Sequence, residues 1–160
     1  ELDAEAIGYT MYAGSDHEYL MCDEFRQVQE EARKYDVPVV MWCYPRGHGI
    51  ENNPEYSGQK DPAVVSYAAR LGLELGADMV KCKYPGSPEG WKQVEDATAE
   101  LKTVMSGGSK RSDEDFLRDV QDTIEQGCNG LAVGRNIFQR EKPEELLDKL
   151  QEVIFDEKVL

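Results

Sequence analysis

Two lysines two residues apart, Lys81 and Lys83, sit in an otherwise apolar, strand-like run from Ala77 to Tyr84. Side chains alternate along a strand, so Met79, Lys81 and Lys83 share one face while Val80 and Cys82 take the other. Burial disfavours an ammonium, and a like charge beside it disfavours it further, so one of the pair is expected to carry a depressed pKa and a reactive free amine. Such an amine can attack a carbonyl and form a Schiff base. The plain alternative is a strand end whose lysines reach water, and the pair alone does not decide between the two.

Other chemistry-bearing residues fall at comparable places. Trp42 and Tyr44 lie near the end of the preceding apolar run, Ser106-Gly107-Gly108 follows the next one, and Gly134-Arg135 follows the last. In parallel α/β folds, ligands bind where strands end at their carboxyl side. Glycine turns there allow backbone N–H groups to converge on an anion, and Arg135 adds a charged donor. Each turn taken alone could be an ordinary connection. Together, beside a lysine, they suit a sugar phosphate. If neighbouring strands pair, Tyr44 looks toward Lys81 as a proton carrier, and Trp42 either shields the site from water or fills the core. Arg46 is assigned to a second phosphate in preference to a surface carboxylate.

The elements that must hold these residues alternate. Strand-like segments are expected at 6–12, 38–44, 78–83, 102–105 and 130–133, and helices at 18–35, from Asp61-Pro62 to Gly76, over about ten residues after the polar stretch 84–92, at 113–126, and from Pro143 onward. Asp61 before Pro62 and Ser112 before Asp113 read as N-caps, and Gly76 and Gly127 as helix stops. Alternation of strand and helix predicts a parallel sheet with right-handed crossovers. The long polar connection from Gly47 to Lys60 reads as a lid or surface excursion.

The totals narrow the function classes. The chain has 160 residues, enough for one domain over 1–160, with 18 basic against 32 acidic residues and a formal charge of −14. That field opposes nucleic acid and is compatible with a salty cytoplasm. No run approaches membrane-span length, and the first residues are acidic, unlike a basic signal region, so no membrane and a cytoplasmic location are expected. Cys22, Cys43, Cys82 and Cys128 show no metal-binding spacing, and His17 and His48 have no ligand-spaced partners. Neither a metal nor a cofactor is expected, which favours amine catalysis over a metal-dependent enolate route. The paired acids along the helices read as solvated faces.

Four ordered motifs carry a family resemblance: Trp42-Cys43-Tyr44-Pro45-Arg46-Gly47; Gly76-Ala77-Asp78 through Lys81-Cys82-Lys83-Tyr84-Pro85-Gly86; Met105-Ser106-Gly107-Gly108-Ser109-Lys110; and Val133-Gly134-Arg135-Asn136-Ile137-Phe138-Gln139. With these the chain resembles the archaeal-type class I fructose-bisphosphate aldolases, and its acidity is similar to that of members from halophilic archaea. The resemblance implies a (β/α)8 barrel, Lys81 as Schiff-base lysine, Tyr44 in proton transfer, and Ser106, Gly107, Gly108, Gly134 and Arg135 around a phosphate. It also implies a metal-independent lyase of glycolysis and gluconeogenesis that forms homo-oligomers. Lys83 is expected to lower the pKa of Lys81 and bind phosphate. The five strands would correspond to strands 4 to 8 of the family's barrel, without its first three strands and the aspartate near the end of strand one. Five strands do not close a barrel, so the chain reads as part of a longer enzyme, as one with further residues, or as one whose edge another chain covers. The 47–60 connection is longer than in typical members. The alternatives are a sister enzyme on the same scaffold, 2-amino-3,7-dideoxy-D-threo-hept-6-ulosonate synthase, and a non-catalytic phosphate-binding half-barrel.

Overall fold

A computed structural model describes residues 4–155. The strands are β1 (Ile7–Ala13), β2 (Val39–Pro45), β3 (Met79–Lys83), β4 (Lys102–Ser106) and β5 (Leu131–Ala132). The helices are α1 (Glu18–Arg33), α2 (His48–Glu51), α3 (Pro62–Glu74), α4 (Pro88–Thr98), α5 (Asp113–Glu125), α6 (Arg135–Phe138) and α7 (Pro143–Phe155). All strand pairs are parallel and their order in the sheet is β1-β2-β3-β4-β5. Each strand is therefore a neighbour of the next, the arrangement of successive units in a (β/α) barrel arc.

One face of the sheet forms the core. Met11, Met41, Cys43, Val80, Cys82 and Met105 are buried there, and Phe25, Trp91, Phe116, Val120 and Leu146 from the helices join them. Alternate residues turn to the opposite face, as β2 and β3 show by their alternating burial. The pairing is pinned at its lower ends by side chains. Asp78 accepts the backbone N–H of Val39 at 2.8 Å while its own N–H donates to the Val39 carbonyl, and Asn129 does the same for Thr103 between β4 and β5. The Asp78 lock fixes the β2–β3 register in which Trp42 stands beside Lys81, and in the β3–β4 pair Lys83 stands beside Ser106.

The caps follow their chemistry. Asp61 accepts from the N–H of Ala63 and Ser112 from that of Asp115. Gly76 and Gly127 end α3 and α5 with positive φ. Three features differ from the sequence expectations. Helix α4 starts at Pro88, inside the stretch expected to be polar coil, because Ser87 caps it through the Gly90 N–H and Pro88 takes the first turn. Strand β5 keeps only two residues between Gly130, at φ +155°, and the turn into α6. The 47–60 connection contains α2 and is tied to the end of β1: Gly49 donates to the Gly14 carbonyl, and Ile50 packs on Gly14 so closely that an added Cβ would meet it at 2.6 Å. It is anchored over this part of its length, unlike a free lid.

One buried side chain stitches the upper loops together. Asn136, fully buried, donates through Nδ2 to the carbonyls of Gly107 (2.7 Å) and Ser109 (3.1 Å) and accepts through Oδ1 from the N–H of Arg111 (2.9 Å). The connections after β4 and β5 thus form one unit. Asn136→Ala leaves buried backbone groups unpaired and is expected to cost about 2–3 kcal/mol, read as a lower urea midpoint at unchanged slope; a midpoint equal to the parent would show that the stitch contributes nothing.

Candidate active site

Above the carboxyl ends of β2 to β5 lies an open cleft of about 680 Å³. The sequence-predicted residues Tyr44, Arg46, Lys81, Lys83, Ser106, Gly107, Gly108, Gly134 and Arg135 all line it. Trp42 stands just outside the wall. Its ring lies against Gly8, where a Cβ would come within 2.8 Å of it, and its other neighbour is Lys81, whose Nζ is 4.7 Å from the ring centroid. At 38% exposure Trp42 is not a core filler.

The two lysines live in different surroundings. Among the described residues no carboxylate or hydrogen-bond acceptor meets the Lys81 ammonium, and the Trp42 π-face is its one cation partner. Burial pushes its pKa down from the usual lysine range. An ammonium without a carboxylate partner is the form that desolvation penalises most, so the neutral amine becomes accessible. Lys83 donates to Gln59 Oε1 at 2.5 Å and sits 5.9 Å from the Tyr44 ring. Its pKa is also lowered, by burial first and then by the charges of Arg46 and Lys60.

Two sequence expectations change here. Lys83 is not what depresses Lys81, because burial accounts for the Lys81 shift, while the like-charge effect falls on Lys83 itself. Nor does Tyr44 face Lys81 directly. The β2–β3 register sets Trp42 beside Lys81, which leaves Tyr44 one pleat higher, against Lys83. Tyr44 still opens into the same cleft, and burial raises its pKa, with Arg46 opposing, so the phenol is protonated at rest.

The glycine turns also have specific reasons. Gly107 has no room for a side chain, since a Cβ would lie 2.7 Å from Val133 and 3.1 Å from Asn136, and Gly108 takes φ +64° with open space before it. The turn after β4 is not the start of α5, because Ser109 to Arg111 intervene before the Ser112 cap. Ser106, Gly107, Gly108 and Arg135 thus lie together along one side of the cleft.

Four residues that sequence reasoning passed over complete the site: Gln59, Lys60, Arg111 and Asp119. Arg111 pairs with Asp119, whose pKa is raised by burial and pulled back by Arg111 and Lys60. They lie singly in loops or on a helix without any periodic signal, although Lys60 directly precedes a recognised N-cap. Among the described residues the cleft gathers six cations, Arg46, Lys60, Lys81, Lys83, Arg111 and Arg135, against the single carboxylate of Asp119. In a chain of net charge −14 this is a strong local inversion of sign, and it suits a small ligand of high negative charge.

Comparison with known proteins agrees with this chemistry. The chain is 50% identical over 157 residues to a class 1 fructose-bisphosphate aldolase of Halobacterium salinarum, covering 98% of this chain and 57% of that protein. It is 32% identical to a 2-amino-3,7-dideoxy-D-threo-hept-6-ulosonate synthase of the same organism, over 96% of this chain and 55% of the relative. Among solved structures, an archaeal fructose-1,6-bisphosphate aldolase with its catalytic lysine covalently bound to the carbinolamine intermediate superposes with a TM-score of 0.86 at 38% identity, covering 94% of this chain and 58% of that one. The chain thus spans less than three fifths of these relatives' length. Residues 1–140 match the DeoC/LacD family of aldolases, and with a parallel β/α arc whose carboxyl edge holds, among the described residues, a lysine without a carboxylate partner in a cationic cleft, the chain belongs to that family.

Proposed function

We propose that the protein is a class I aldolase that reversibly cleaves fructose 1,6-bisphosphate into dihydroxyacetone phosphate and glyceraldehyde 3-phosphate, with Lys81 as its Schiff-base lysine. The observation that carries this reading is the partnerless, desolvated Lys81 amine among five further cations. The neutral Nζ attacks the ketone carbon to form a carbinolamine. Tyr44, protonated at rest, gives its proton to the departing hydroxyl as water leaves and the iminium forms. The iminium then takes up the electron pair of the breaking carbon–carbon bond, and the Tyr44 phenolate, eased by Arg46, accepts the proton of the hydroxyl that becomes the aldehyde. Glycine-turn donors with Ser106 and Arg135 hold one phosphate. Trp42 keeps one side of the Lys81 amine in place through its ring face.

The same reading treats residues 1–160 as one unit and places the protein in a reducing cytoplasm as a homo-oligomer of sugar-phosphate metabolism, on glycolytic and gluconeogenic substrates. The free thiols of Cys22, Cys43, Cys82 and Cys128 accord with that compartment. No helix among the described residues is long and apolar enough to cross a membrane. The sister synthase shares the lysine chemistry, and the identity of 50% against 32% favours the aldolase.

Incubation with dihydroxyacetone phosphate and borohydride is expected to leave a reduced adduct on the peptide carrying Lys81 and none in Lys81→Ala; an adduct confined to Lys83, or none, contradicts the assignment. In a substrate panel, transfer of a three-carbon unit to an aspartate-derived aldehyde in preference to bisphosphate cleavage would favour the synthase. Tyr44→Phe is expected to keep slow trapping but lose cleavage by about a hundredfold or more, so an unchanged turnover rate would remove Tyr44 from proton transfer. Because the Lys81 pKa is lowered, the free-amine fraction rises at lower pH than for an ordinary lysine. The trapping rate should therefore climb with pH with its midpoint below the usual lysine value of 10.5; a climb centred there would contradict the desolvated amine.

A further inference from the structure

The segment just before α3 is held rigidly into the cleft. The Asp61 carboxylate accepts the N–H and the hydroxyl of Ser57 at 2.9 and 3.0 Å and the N–H of Ala63 at 3.0 Å, while the Asp61 N–H donates to the Gly58 carbonyl. Gln59 and Lys60 lie inside this closed turn, so their backbone positions are set by it. The Gln59 amide donates through Nε2 to Glu51 at 2.9 Å. A carboxylate only accepts, so this bond fixes which end of the amide is oxygen, and that oxygen is the one at Lys83. Lys60 is exposed, lines the cleft and makes no ion pair among the described residues, yet its charge is felt both at Lys83 and at Asp119.

The cleft's charges therefore divide by element. Arg135 and the glycine turns follow β4 and β5, whereas Arg46 follows β2, Lys83 ends β3 and Lys60 lies between α2 and α3. A single phosphate at the glycine turns leaves this second cationic group unused. The Gln59 oxygen occupies the acceptor position on Lys83 that a phosphate oxygen would take.

We propose that Lys60, with Gln59 and Lys83, forms the recognition element for the second phosphate of a bisphosphate substrate and so selects bisphosphates over monophosphates. This rests on the aldolase reading above. A phosphate oxygen replaces the Gln59 oxygen on Lys83, Lys60 supplies an otherwise unpaired cation to the same group, and Glu51 takes part only by orienting Gln59.

The test measures borohydride trapping on Lys81 as a function of fructose 1,6-bisphosphate and, separately, of dihydroxyacetone phosphate, which has one phosphate. Lys60→Ala is expected to raise the half-saturating bisphosphate concentration about tenfold and that of dihydroxyacetone phosphate by less than about twofold. Lys60→Arg should restore most of the difference. Equal losses with both ligands, or no loss with either, overturn the proposal while leaving Lys81 as the Schiff-base residue. If the parent chain gives no Lys81 adduct with either ligand, the aldolase reading falls and this proposal with it. The side chain is exposed and unpaired, so a circular dichroism spectrum matching the parent separates recognition from misfolding.

Discussion

The alternation of β3 is the constraint from which the site follows. Val80 and Cys82 are fully buried against the helices, so Lys81 and Lys83 have only the opposite face to occupy. A slip of one residue would place two ammonium groups in the apolar core, which is far costlier than any local adjustment. Asp78 guards against that slip by bonding Val39 through both its backbone and its side chain. With that register fixed, Trp42 lies beside Lys81, and the β3–β4 pairing sets Ser106 beside Lys83. Core packing on one side of the sheet thereby sets chemistry on the other.

Electrostatics then distinguishes two lysines that the strand treats alike. Lys83 has an acceptor in Gln59 and cations around it, an arrangement that suits holding an anion. Among the described residues Lys81 has only the face of an indole, and burial without an acceptor favours its neutral form. The indole attracts whatever ammonium remains, so it opposes the burial effect in part, and the net direction is still downward. Concentrating the cleft's positive charge in a strongly acidic chain makes the cleft a local region of positive field on a surface that otherwise repels anions.

Much of this was legible in the residues themselves. The five strands, the long helices, the Asp61 and Ser112 caps and the clustering of nine candidate residues at one sheet edge follow from periodicity and turn chemistry. The Ser87-Pro88 start of α4 carried the same signal as Asp61-Pro62 and was missed because a polar stretch surrounds it. Alternation alone does not tell which lysine Tyr44 meets, because direct pairing depends on register, which Asp78 sets from a distance no local pattern reveals. Gln59, Lys60, Arg111, Asp119 and the stitching role of Asn136 were hidden for a related reason. Each is a single residue whose meaning comes from contacts made across connections of twenty residues or more, or from a cleft that exists only once the strands align.

The central physical claim is that Lys81 is a desolvated amine with no acidic partner, and a direct titration tests it. With lysines carrying a 13C label at Cε, the resonance assigned through Lys81→Arg should titrate below the ordinary lysine value of 10.5. A Lys81 resonance titrating at or above that value would contradict the account, because burial would then not favour the neutral amine that attacks the carbonyl.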